Sequence, residues 1–428
     1  MRLGGRLSAA IDILSDIETR HRPVAEALKD WGLSHRFAGS GDRAAIGNIV
    51  YDALRLKLSH QWLMQSEEPA ALGFAVLLRQ WGYTVEGLTA ELEGDTFAPA
   101  APGSDVFETF AARNLSEAPP HVQADLPEWL QSEFEKAFGA RWIPEAQGLN
   151  GRPPLDLRVN RLKANREKVL KALARTGAVP TEVAPDGIRV APVEGAGRHP
   201  NVTAELSFAK GWFEVQDEGS QIAALLTGAS GGQVLDYCAG GGGKTLALAA
   251  SMGNKGQIHA YDADRHRLAP IVERLKRAGT RNVQVHDQAA QLEPFQGRCD
   301  HVLIDAPCTG TGTWRRRPDT KWRLTPETLA QRMAEQESVL EAAHRFVKPG
   351  GELVYVTCSL LPSENAGQVA RFRERHPQFK PVEIAARWES TFGTALPAHA
   401  DPDNGMVTLT PATTATDGFF IAVMRRLS

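Results

Sequence analysis

Asp236–Thr245 reads DYCAGGGGKT, four glycines in a row closed by a lysine and a threonine. The apolar VL before it is strand-like and the TLALAASM that follows is helical, so the glycines occupy a strand-to-helix turn. The chain keeps this alternation going. QIHAYDAD, NVQVHD, HVLIDAP and GELVYVTCS read as strands, RHRLAPIVERLKRAG and PETLAQRMAEQESVLEAAHRFV as helices between them, and GFFIAVMRR as a closing strand. Strict alternation predicts an α/β fold, a mostly parallel sheet with helices on both faces, beginning near Glu214. In such doubly wound sheets ligands lie outside the carboxyl ends of the strands. Asp236 to Lys244, Asp262, Asp287, Asp305 to Cys308 and Thr357 to Ser359 all fall at predicted strand ends, and together they predict one site.

Glycines followed by Lys-Thr raise the possibility of a triphosphate-binding loop, and HVLIDAP looks like the strand whose aspartate holds magnesium in such enzymes. The spacing rejects it. A phosphate loop needs its first glycine at the position occupied by Cys238, and a dinucleotide loop starting at Gly240 fails at Thr245. Asp262 is placed to accept a ribose diol and Asp287 to meet an adenine edge, while their charge repels a triphosphate. S-adenosylmethionine carries a ribose, an adenine and a sulfonium but no phosphate, and it is the predicted cofactor. Cys238, Ala239, Gly240, Gly241, Gly242, Gly243 and Lys244 would lie along its methionine part, where glycines let the backbone come close. Asp262, Asp287 and Asp305 would complete the pocket. The plainer alternative is a tight strand-to-helix turn with helix-capping aspartates.

Two of the four cysteines stand just past strand ends: Cys308 in DAPCTGTG and Cys358 in VTCSLLPSEN. Both lie in polar loops near a lysine, where a thiolate can form. Cys238 and Cys299 read as structural. Methylation at carbon 5 of a pyrimidine needs such a thiolate, because that carbon becomes nucleophilic only after attack at carbon 6. An acid near ring nitrogen 3 must stabilise the developing charge, and a base must later take the carbon 5 proton. Asp305 suits the first task, Lys244 can orient the thiolate or the base, and a second cysteine can assist release. The base must leave its stack to reach them.

With these residues DYCAGGGGKT, DAPCTGTG and TCSLLPSEN, the sequence resembles the RNA (cytosine-5) methyltransferases of the Sun/Fmu type. GWFEVQDEGSQIAALL and DGFFIAVMRR extend the resemblance over about residues 126 to 428. It implies a Rossmann-like methyltransferase domain, S-adenosylmethionine bound by Cys238 to Lys244 with Asp262, Asp287 and Asp305, Cys358 as nucleophile, and Cys308 assisting release of the methylated RNA. Arg267 is a further cofactor-contact candidate. The family loop reads Cys-Ala-Ala-Pro-Gly-Gly-Lys, and here Gly240 and Gly241 stand where Ala-Pro would be, which loosens the loop.

The chain has 428 residues with net charge −3, so RNA contact must come from local patches. GDRAAIGNIVYDALRLKL, with Ile46, Ile49, Val50, Ala53 and Leu54 on one face, is helical and resembles the NusB-like RNA-binding domain of the branch that modifies small-subunit ribosomal RNA. The expected organisation is an all-α domain with linker over 1–125, a small α+β, RRM-like RNA-contacting module over 126–213, and the methyltransferase domain over 214–428. The module carries a basic run from Arg158 to Arg175, for which a solvated helix face is the alternative. WRRRPDTKWR (Trp314–Arg323) is predicted to hold phosphates while Trp314 or Trp322 stacks on a base, with a solvated loop whose tryptophan packs inward as the alternative. No apolar run approaches a membrane span, and no metal-ligand spacing is evident. A cytoplasmic, monomeric enzyme acting on ribosomal RNA is the expectation, with transfer RNA as alternative substrate. A DNA cytosine methyltransferase attacking through Cys308, and a non-catalytic RNA-binding protein, are the other readings.

Overall fold

Ile46, Ile49, Val50, Ala53 and Leu54 all turn inward along the helix Ser40–Arg55, as their spacing predicts. They meet Leu7, Leu14 and Ile17 of Leu3–Arg20 and Leu72, Phe74 and Ala75 of Pro69–Ala75 in one apolar cluster. The computed structural model describes residues 1–427, in two units. The first, built on these helices, comprises residues 1–153, 192–199 and 313–324. The segment 313–324 is bound in by buried polar bonds: Lys321 Nζ donates to Arg55 O at 3.1 Å and Asn150 Oδ1 at 2.8 Å, and Trp322 Nε1 to Leu54 O at 2.6 Å.

The second unit holds two sheets. The smaller has β1 (Leu155–Val159), β2 (Val179–Pro180), β3 (Gly187–Val190) and β4 (Phe213–Val215), all antiparallel in the order β2-β3-β1-β4. Leu157, Val159, Ile188 and Phe213 bury one face against Val169 and Leu173 of the intervening helical stretch. Asp156 and Glu218, both buried, share Arg189.

The larger sheet has nine strands. β5 (Gln233–Asp236), β6 (Gln257–Tyr261), β7 (Val283–His286), β8 (Cys299–Asp305) and β9 (Val347–Thr357) are parallel; β13 (Phe419–Arg426) runs antiparallel beside β9. Three short strands, β10 (Phe379–Pro381), β11 (His399–Asp401) and β12 (Met406–Leu409), finish that edge and had no counterpart in the periodicity. The order β11-β12-β13-β9-β8-β5-β6-β7 reverses between β5 and β8, which puts the switch point at the carboxyl ends of those two strands. RHRLAPIVERLKRAG, read as one helix, is two, Arg265–Leu268 and Ile271–Ala278, because Pro270 cannot continue the first.

Candidate active site

At the switch point, β5 ends in Asp236, which accepts a hydrogen bond from Thr245 Oγ1 at 2.6 Å. That bond closes the glycine loop over nine residues and starts the helix Gly243–Ser251. Gly242 has φ +81, and a Cβ there would fall 2.5 Å from Ile271 Cγ1, so only glycine fits. Gly240 has φ +50 and donates its N–H to Asp262 Oδ2 at 2.8 Å. A Cβ on Gly241 would meet nothing nearer than Arg274 Nη1 at 3.3 Å. Burial pushes the Asp236 carboxyl up to about 7, and its Oδ1 is buried without a partner among the described residues. Burial, with Asp262, Asp305 and Asp236 close by, also holds the Cys238 thiol far above its ordinary value, which supports a structural thiol there.

Lys244, only 7% exposed, pairs with Asp305 Oδ2 at 2.7 Å from the end of β8, and its ammonium lies 5.2 Å from the Phe419 ring centre. The structure therefore gathers Cys238 to Lys244, Asp262 and Asp305 into one neighbourhood. Asp287, at the end of β7, is more open and pairs with Arg265 at 3.2 Å. Arg267 stands 4.0 Å from Asp262 Oδ2.

Cys308 and Cys358 come together, Sγ to Sγ at 3.4 Å. The hydrogen bond to Cys358 and then burial raise the Cys308 thiol well above its usual range. What holds the two loops in register is Glu364, whose role the sequence did not suggest. Fully buried, it accepts from Thr309 N at 2.9 Å, Thr309 Oγ1, Ser359 Oγ and Gln336 Nε2 at 2.8 Å. Gln336 Nε2 also reaches Pro307 O at 2.9 Å. Thr311 Oγ1 accepts from Leu360 N at 2.8 Å, and Asn365 ties Thr357 to the Ser359 carbonyl. Gly312 N donates to Cys358 O at 2.9 Å, and Gly418 N to Gly312 O at 2.8 Å. Here the backbones touch: a Cβ on Gly312 would sit 2.2 Å from Gly418 O. Glu364, Ser359 and Asn365 lie inside TCSLLPSEN and were legible only as part of that motif; Gln336, on a helix (Pro326–Ala343) with a weak apolar pattern, carried no signal.

The loop Trp314–Arg323 does not present the predicted base-stacking face. Trp314 is 1% exposed and stacks on Phe134 at 6.1 Å, while Arg315 and Lys321 are buried. The inward alternative holds because the tryptophans and Lys321 find apolar and carbonyl partners within the first unit; Arg317 and Arg323 are the exposed cations of the segment. In the basic run, Arg158 is also buried, donating to Gln216 Oε1 at 2.6 Å. Glu341, His344 and His376 bring ligand atoms within 4.8 Å of one another, but Glu341 is already engaged by Arg375 and His376, both at 2.9 Å. No helix among the described residues is long and apolar enough to cross a membrane.

A glycine loop beside carboxylates at the switch point of a doubly wound sheet, with its lysine occupied by an aspartate, suits a nucleoside cofactor bearing a cation rather than phosphates. The class these features define is the S-adenosylmethionine-dependent methyltransferase, and Cys238 to Lys244 with Asp262 fit that group. Residues 223–425 match the family model of the 16S rRNA methyltransferases RsmB/F, and 126–193 match the RsmF/B-like ferredoxin-like domain. The probable ribosomal RNA small subunit methyltransferase B of Synechocystis is 35% identical over 71% of this chain and 67% of its own length. The ribosomal RNA small subunit methyltransferase B of Sodalis glossinidius is 32% identical over 90% of this chain and 89% of its own. A methyltransferase homologue from Pyrococcus horikoshii superposes with a TM-score of 0.58 at 27% identity, covering 72% of this chain and 98% of that one. The chain belongs to the 16S rRNA methyltransferase RsmB/F family. It is an S-adenosylmethionine-dependent RNA methyltransferase.

Proposed function

We propose that this chain methylates carbon 5 of a cytosine in small-subunit ribosomal RNA through a covalent Cys358–cytosine adduct. The observation that carries the reading is the Cys308–Cys358 sulfur pair at 3.4 Å, on the loops that follow β8 and β9. Cys238 to Lys244, Asp262 and Asp305 hold S-adenosylmethionine, with Asp287 at the rim; when bound, the cofactor supplies an electrophilic methyl. Cys358, as thiolate, attacks carbon 6, the S–C bond forming as the ring double bond opens toward carbon 5. Asp305 faces ring nitrogen 3 as the acid: carrying a proton, it donates to that nitrogen and steadies the negative charge that develops on the ring, with Lys244, its partner at 2.7 Å, orienting it. Once carbon 5 carries its methyl, a general base takes the carbon 5 proton, the C–H electron pair restores the ring double bond, and the S–C bond breaks to return the Cys358 thiolate, with Cys308 assisting that release. The helices of 1–125 and the module of 126–213 contact the RNA, and the enzyme works as a cytoplasmic monomer without a metal. Small-subunit RNA is favoured over transfer RNA by the names of the relatives.

The test is transfer of labelled methyl to total RNA from cells lacking the gene. Wild type should place label in 5-methylcytosine of 16S RNA. Cys358→Ala should lose transfer while keeping its fold and cofactor affinity, and Cys308→Ala should accumulate a protein–RNA adduct that survives denaturation. Transfer retained by Cys358→Ala overturns the adduct; label confined to transfer RNA selects the other substrate.

A further inference from the structure

Two consecutive glycines, Gly240 and Gly241, leave the cofactor loop with more unfolded-state freedom than any other residues would. Yet the structure gives the loop a defined path, and one helix supplies two of the restraints. From Ile271–Ala278, Ile271 packs into the space that a Cβ on Gly242 would fill, and one turn later Arg274 Nη1 donates to Gly241 O at 2.6 Å. Arg274 is itself held. Its Nε and Nη2 reach Glu214 Oε2 at 3.3 and 3.1 Å, and Glu214, on β4 of the smaller sheet, is 2% exposed. Arg277 adds a second guanidinium to Glu214 at 2.6 Å. A buried carboxylate between two guanidiniums fixes the Arg274 fork, which leaves Nη1 aimed at one backbone oxygen.

We infer that Arg274, oriented by Glu214, is a positioning residue that orders the four-glycine loop for S-adenosylmethionine, the charge–carbonyl bond doing what a stiffer residue at position 241 would otherwise do. The inference rests on the assignment of this loop to the cofactor. It links the smaller sheet to the cofactor site through a three-member chain, Glu214 to Arg274 to the Gly241 carbonyl. Arg274 touches no reacting atom, so its loss acts on cofactor affinity and not on the chemical step.

Calorimetric titration of the full chain with S-adenosylmethionine, without RNA, tests it. Arg274→Ala should weaken binding about tenfold, the effect of losing one charge-assisted hydrogen bond. Glu214→Gln should weaken it less, because Arg274 stays but is no longer held between charges. Arg274→Ala also removes the atom that a Cβ at 241 would meet at 3.3 Å, so in that background Gly241→Pro, which lowers the freedom of the loop, should restore most of the lost affinity. In methyl transfer, the Arg274→Ala defect should appear in KM for S-adenosylmethionine, with KM for RNA unmoved. Unchanged affinity in Arg274→Ala overturns the inference, and so does a loss that Gly241→Pro leaves untouched. Asp262→Asn separates the two levels: if it too binds as wild type, the cofactor site itself has been misplaced, whereas weakened Asp262→Asn beside intact Arg274→Ala removes the Arg274 role alone.

Discussion

Cys308 and Asp236 are two site residues whose protons the fold helps to hold. Cys308, kept protonated by its hydrogen bond to Cys358 and by burial, stands 3.4 Å from the other sulfur, beyond bonding distance but within reach of it. Diamide, which removes two electrons and two protons from a dithiol, should therefore join Cys308 to Cys358 and stop methyl transfer. Dithiothreitol should restore it. Non-reducing peptide mapping checks the pair, and linkage through Cys238 or Cys299 instead would contradict the geometry. Asp236 gives a pH signature. Its carboxyl titrates near 7 in the folded protein against 3.8 unfolded, so the folded state binds more protons between those values. Its contribution to stability is complete below about pH 3.8 and is lost as pH rises through about 7. Asp236→Asn removes that slope; denaturant titrations of both proteins at pH 5 and pH 8 should show the difference between the two conditions shrinking in the variant.

At the scale of elements, the cysteine loops are held by a buried carboxylate and a backbone crossing as well as by the apolar packing of Leu360 and Leu361. Glu364 takes four donors in a fully buried position, and Glu364→Ala strands them all. We expect a loss of about 3 kcal/mol or more by urea denaturation, with activity falling further because Thr309 and Ser359 no longer fix the flanks of Cys308 and Cys358. Gly312→Ala should cost about as much, since the added carbon collides with backbone that cannot step aside. Neither effect could be read in advance. A glutamate in a loop is ordinarily solvated, and a glycine in a Thr-Gly-Thr-Gly stretch reads as a turn; only the crossing with Gly418 shows why Cβ is forbidden. The strands β5, β6, β8, β9 and β13, by contrast, were legible as apolar runs because they are largely buried on both faces, and the edge strand β7 was legible from the alternation in NVQVHD. β10, β11 and β12 were not. FKP and HAD have no apolar pattern and become strands through pairing, β10 with β13 and β11 with β12.

At the scale of the whole chain, sequence order and spatial grouping part company. Residues 313–324 follow the Cys308 loop directly, yet they belong to the first unit. The charge run WRRRPDTKWR hid this, because cations in a run are ordinarily solvated and basic residues interleaved with aromatics suit a phosphate backbone. The buried Lys321 shows the other use of a cation: desolvation lowers it to about 8, and it is retained by the Arg55 carbonyl, Asn150 and the charge of Asp125. The two uses predict opposite outcomes for Lys321→Met. If Lys321 contacted phosphate, the variant would keep its stability and bind RNA more weakly, with a shallower dependence on salt. As a buried anchor, its removal leaves the Arg55 carbonyl and Asn150 Oδ1 without their donor and takes a cation from beside Asp125, and stability should fall by about 3 kcal/mol. Its effect on the salt dependence of RNA binding should be nil, whereas Arg317→Ala and Arg323→Ala, at exposed positions, should leave stability within about 0.5 kcal/mol of wild type. Denaturant titration beside filter binding at two salt concentrations separates the cases. A stable Lys321→Met with a reduced salt slope would return this segment to the RNA interface.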